Sequence, residues 1–110
     1  MTNQELDAMD RKLIDGIMDW PAYNTDLVYK QSFSPTRNDK DFGTCWQKFS
    51  ELMGGNTALN QIDGIWVAAS TNEVDGVRTK LNARCEDEDK KIAGCGCMIE
   101  TLGTTKEDGR

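Results

Sequence analysis

The chain contains no histidine, which removes imidazole acid–base catalysis, Ser-His-Asp and Cys-His nucleophile arrangements, and histidine-ligated metals. It also lacks a P-loop, a Gly-x-Gly-x-x-Gly fingerprint after a strand and an EF-hand loop. No apolar run approaches the roughly 18 residues that cross a bilayer. The opening Met-Thr-Asn-Gln-Glu-Leu-Asp has neither a basic segment nor the apolar core of a secretion signal. These absences predict a cytoplasmic, non-membrane protein that is no enzyme and carries no cofactor. The four cysteines (45, 85, 95 and 97) lack paired Cys-x-x-Cys knuckles, and residues 95 and 97 on a helix point in different directions, so free thiols are expected.

A length of 110 residues suits one domain, and 37% hydrophobic residues with 10 glycines is an ordinary globular composition. Thirteen basic against 19 acidic side chains give a net charge of −6, which disfavours direct binding to a phosphate backbone. The excess sits at both ends; residues 37–84 are balanced.

Leu6, Met9, Leu13, Ile14, Ile17 and Met18 recur at three-four spacing, with Thr2 and Glu5 as a capping box and Pro21 as a stop, predicting a helix near 3–19. Gly16 within it implies close packing or a weak last turn. Residues 21–38 suggest a short strand and a loop. Phe42, Cys45, Trp46, Phe49, Leu52 and Met53 predict a second helix, capped by Asn38 or Asp39 and ended by Gly54-Gly55, with Trp46 as a core anchor. Residues 64–71 form an apolar run expected to be the central strand. After an Asp75-Gly76 turn, Val77, Thr79, Leu81 and Ala83 alternate with Arg78, Lys80, Asn82 and Arg84, predicting a strand with one basic face. The acidic run 86–89 suits the start of a last helix, in which Gly94 and Gly96 imply close approach to the sheet. The expected fold class is α+β: one small domain over 1–102, a short antiparallel sheet packed with about three helices, and a flexible tail at 103–110.

Three motifs together resemble the phage α/β/α-sandwich domain family: Ile17-Met-Asp-Trp20, the turn Phe33-Ser-Pro-Thr36, and the helix Cys45-Trp-Gln-Lys-Phe-Ser-Glu-Leu52. The small-residue run Lys91–Leu102 with its cysteines is similar to that family's last helix. Gly94 and Gly96 depart from its helix-forming pattern. The resemblance implies a sandwich-like architecture and a small phage accessory protein acting in the host cytoplasm, with no established enzymatic activity.

Two functions follow as expectations. In the first, a non-enzymatic counter-defence protein sequesters a nucleotide-derived immune signal. Phosphates require cations, here Arg37, Arg78, Lys80 and Arg84, and a base requires aromatic faces, here Trp20, Tyr23, Tyr29 or Trp66. The plainer alternative makes the aromatics core and the cations a solvated strand face. In the second, the acidic surfaces at Asp7, Asp10, Asp15 and 86–89 mimic nucleic acid against a host nuclease or another defence protein, the alternative being ordinary solubility and helix capping. Acid–base or metal work by Asp39 with Asp41, or Asp87 with Asp89, is weighed against simple capping. Apolar surface left over on so small a chain predicts a homo-oligomer.

Overall fold

Three α-helices and a three-stranded antiparallel sheet are formed by the residues that a computed structural model of the chain describes: 2–18, 33–74 and 77–108, by backbone alone at 72–74, 77–82 and 104–108. In chain order they are α1 (Asn3–Leu13), α2 (Asp39–Leu52), β1 (Thr57–Ile62), β2 (Ile65–Val74), β3 (Val77–Asp87) and α3 (Lys90–Asp108), with a π-helical turn, Ile14–Met18, continuing α1. The α+β class and antiparallel sheet are those expected from the sequence.

Local signals set most of the boundaries. Thr2 Oγ1 accepts from the Glu5 amide at 3.1 Å and opens α1. Asn38, not Asp39, caps α2, its Oδ1 accepting from the Asp41 amide at 3.0 Å. At the other end of α2, the Gly55 amide bonds Ser50 O and the Gly54 amide bonds Glu51 O, a Schellman closure in which both glycines take positive φ, 65° and 84°. The expected helix over 3–19 divides at Leu13, where the widened π turn begins. An ideal Cβ on Gly16 would stand 2.6 Å from Leu102 Cδ1, so the glycine serves close packing against α3.

β1 is an element the periodicity of its sequence does not announce. Thr-Ala-Leu-Asn-Gln-Ile has β-branched residues only at its two ends, and the strand exists because Asp63 (φ 51°) and Gly64 (φ 83°) make a two-residue turn that folds it onto β2. The expected start of a strand at Gly64 therefore moves to Ile65. β2 is the central strand, as its apolar run predicts. Pairing runs unbroken from Thr57↔Ser70 to Ile62↔Ile65. Pairing with β3 shifts register at Ser70/Thr71 and again at Asn72/Glu73.

α3 is the organising helix. It packs on β2 and β3 on one side and on α1 and α2 on the other. An ideal Cβ at Gly96 meets Cys85 Sγ of β3 at 3.3 Å, whereas one at Gly94 clashes with the Phe42 ring of α2. Gly96 thus lies against the sheet as expected, and Gly94 lies against a helix instead. The layer order is sheet, α3, then α1 with α2, so among the described residues the helices stack on one side of the sheet. This explains why Ala93, Cys95, Cys97, Met98 and Thr101 are buried around so much of the α3 circumference. Its backbone stays helical past Leu102 to Asp108, over most of the segment expected as a tail. Gly103 alone costs only about 1 kcal/mol, and no proline follows to stop the helix.

Phe49 is the largest fully buried side chain, while Trp46 is half-buried, its ring 5.3 Å from Phe49 and 6.0 Å from Phe42. Phe49→Ala is expected to cost about 4 kcal/mol and Trp46→Ala about 2–3 kcal/mol, measured by urea unfolding. A larger loss at Trp46 than at Phe49 would contradict this placement of the anchor.

Candidate functional site

The end of the sheet nearest the α3 N-terminus gathers charge, an aromatic face and an open concavity. Trp66 lies on β2 in the same alternating set as buried Ala68 and Ser70, so its ring stands on the helix side of the sheet. The Lys90 ammonium lies 5.6 Å from the Trp66 ring centre and 5.9 Å from that of Phe42, a cation shared between two aromatic faces. Beside it, Lys91 Nζ pairs with Asp39 Oδ1 at 3.3 Å and Asp89 Oδ1 at 3.6 Å. Partial burial works to lower the Lys91 pKa, but the two carboxylates outweigh it and hold the pKa above its ordinary value.

A groove of about 500 Å³, lined by Ile65, Glu86, Asp87 and Glu88, opens at the same end of the sheet but apart from the Lys90–Trp66 contact, since Ile65 alternates with Trp66 and faces away from α3. The acidic run has two roles. Asp89 Oδ1 accepts from the Lys91 amide at 2.8 Å and starts α3, while Asp87 Oδ1 accepts from the Asp89 amide at 2.9 Å and shapes the bend. Glu86 pairs with Arg84 Nη2 at 2.8 Å on the sheet face away from α3. The groove thus presents one apolar side chain, Ile65, among three acidic residues, of which Glu86 is held by Arg84.

The expected ligand-binding set does not converge among the described residues. Arg37 sits on the far side of α3 from the sheet, donating through Nη2 to Asp7 Oδ1 and Asn3 O, both at 2.7 Å, with Nη1 3.7 Å from Asp10 Oδ2. Its charge is answered by α1, and it holds the Ser34–Arg37 turn in place. Arg84 points to the opposite, exposed sheet face, because its neighbour Ala83 is buried. Trp66 occupies a third location. Arg78 and Lys80 are placed by backbone on β3, opposite Glu73 and Asn72, and their side chains lie outside the described residues. Trp20, Tyr23 and Tyr29 also lie outside the described residues, as does the Asp75-Gly76 turn.

The carboxylate pairs weighed for chemistry are occupied structurally. Asp39 pairs with Lys91, Asp41 Oδ2 accepts from the Ser34 amide at 2.9 Å, and Asp87 and Asp89 shape the start of α3. All four cysteines are free thiols. Among the described residues, no three or more Cys, Asp or Glu side chains converge to hold a metal ion, and no helix is long and apolar enough to cross a membrane.

Lys90 follows the acidic run directly, and only the fold carries it back over Trp66. Asp10, expected on an acidic surface, is instead fully buried: it stands three and four positions before Leu13 and Ile14 and so falls on the apolar stripe of α1.

Comparison with protein-family models, curated proteins and solved structures finds no match.

Proposed function

We propose that the chain is a non-catalytic binding protein whose groove at Ile65 and 86–88 takes a basic segment of a partner protein. The observation that carries this reading is the groove's lining, three consecutive carboxylate residues around one apolar side chain. Of the arginines expected to hold an anion, Arg37 is paired with Asp7 and Arg84 with Glu86, which leaves Asp87 and Glu88 as the groove carboxylates that meet a basic partner. A chain of net charge −6 attracts a basic partner and speeds the encounter. The phage-family resemblance sets this activity in counter-defence, with a host nuclease or another nucleic-acid-binding defence protein as the target.

The second reading, sequestration of a nucleotide-derived signal, is favoured by a different observation. Lys90 over the part-exposed Trp66 ring combines a cation suited to phosphate with one aromatic face suited to a base, the Phe42 ring being buried in the core.

Isothermal titration of the full chain with an Arg/Lys-rich peptide, and separately with cyclic oligonucleotides and cyclic ADP-ribose variants, separates the two. The expected result is peptide binding that weakens with added salt and falls at least about tenfold in the Asp87→Lys/Glu88→Lys variant, two lost charge-assisted contacts being sufficient. Absence of peptide binding, with nucleotide binding abolished by Trp66→Ala, would replace this proposal by the second reading.

A further inference from the structure

The two edges of the sheet are unlike. β3 carries two register shifts and Arg78, Lys80, Arg84, Glu86 and Asp87, the devices that blunt an edge strand against further pairing. β1 has none of them: its six residues, Thr57–Ile62, carry no charge, contain no proline and pair with β2 without a bulge. Among the described residues, no strand pairs with its outer edge.

The hydrogen-bond phase of that edge follows from two contacts. The Thr71 amide donates to Asn56 O at 3.0 Å, which makes Asn56 and Thr71 a hydrogen-bonded pair. The two-residue turn at Asp63-Gly64 is likewise flanked by a hydrogen-bonded pair, Ile62 and Ile65. Counting by twos between them, Ala58 and Asn60 bond β2. Thr57, Leu59 and Gln61 direct their N–H and C=O groups out of the sheet. These three residues are spaced symmetrically about Leu59.

We infer that β1 is a self-pairing edge, and that two copies of this chain join through it, antiparallel about a two-fold axis at Leu59, into a continuous six-stranded sheet. In that register each Leu59 exchanges hydrogen bonds with Leu59 of the other copy, and Thr57 does so with Gln61 of the other copy, so that every outward group is used. Ala58 and Asn60 of opposite copies then face each other as a non-hydrogen-bonded pair, the geometry that brings side chains closest. A second copy fits better than a foreign strand for two reasons. The outward groups are self-complementary, and chains of net charge −6 repel one another over most of their surface but not along this uncharged strip. The Ser50–Thr57 hydroxyl contact, 2.7 Å, also brings the last turn of α2, with exposed Leu52, to the head of the strand, and Ile62 at the other end is equally exposed, at 58% each. This inference is independent of the groove and its partner.

The register gives a specific test by sedimentation equilibrium on the full chain. The parent is expected to show a species of twice the 12.3 kDa chain mass that dissociates on dilution. Ala58→Lys/Asn60→Lys places lysine opposite lysine twice across the axis, and the dimer dissociation constant is expected to rise about tenfold. Ala58→Lys/Asn60→Glu turns both contacts into opposite-charge pairs and is expected to restore dimerisation. Both positions are exposed and keep their bonds to β2, so the melting of dilute monomer serves as the folding control. A parent that stays monomeric at several hundred micromolar, or a dimer that both double variants leave unchanged, would overturn the inference.

Discussion

Asp10→Ala is expected to destabilise the chain by about 2–4 kcal/mol, because it strands the buried donors that this carboxylate satisfies. Asp10 is fully buried and accepts from Ser34 Oγ at 2.6 Å and from the Thr36 amide at 2.9 Å, with Arg37 Nη1 at 3.7 Å. Alanine leaves the Thr36 amide without its acceptor, and an unsatisfied buried donor alone costs about 1–3 kcal/mol. The remainder is the loss of the link between α1 and the Ser34–Arg37 turn, which positions Asn38 to cap α2. Asp10→Asn keeps an acceptor and the volume and should cost distinctly less. Asp7→Ala removes a half-exposed partner of Arg37 and should cost at most about 1 kcal/mol. Urea unfolding orders the three. Equal small losses at Asp10 and Asp7 would mean that the buried carboxylate does not hold the turn.

Alkaline solution is expected to unfold the protein through its thiols. Burial pushes the pKa of Cys45 up from 9.0 to about 12, with nearby Asp10 adding to it. Burial likewise raises Cys97 to about 11, against the lowering effect of hydrogen bonds from Ser70 and Thr101. Cys95 is raised as well, by burial first and then by Cys45. An acid whose folded pKa is raised stays protonated in the native state while the unfolded state ionises, so above pH 9 the native state binds more protons and stability falls as pH rises. Each fully protected thiol contributes a slope of about 1.4 kcal/mol per pH unit. The three buried ones together give about 4 kcal/mol per pH unit between about pH 9 and 11, which exhausts the stability of an ordinary small domain near pH 10–11. Cys85, half-buried and also raised to about 12, adds less because solvent screens it. Urea midpoints measured in reductant from pH 8 to 11 check the slope, and Cys45→Ala should make it shallower by about one thiol's share. A flat profile to pH 10.5 would show that the thiols ionise as readily in the native state as in the unfolded one.

Residue spacing and end signals determined much of this protein. The apolar stripes of α1 and α2, the Thr2 and Asn38 caps, the paired glycines after α2 and the apolar run of β2 each report a local energy that acts over a few residues, so each is legible in the chain itself. The α+β class follows from their order. Only the tertiary structure decided what those pieces face. It made α3 the middle layer, because Gly94 and Gly96 admit a helix on one side and a strand on the other; small residues mark close approach without saying to what. It made β1 a strand, because Asp63-Gly64 turns the chain back and β2 supplies the hydrogen bonds that Ala58, Leu59, Asn60 and Gln61, between two β-branched ends, do not secure alone. It separated Arg37, Trp66 and Arg84 onto three sides of the molecule and brought Lys90 to Trp66. Shared sites depend on contacts between residues distant in the chain, and no periodicity along one segment records them.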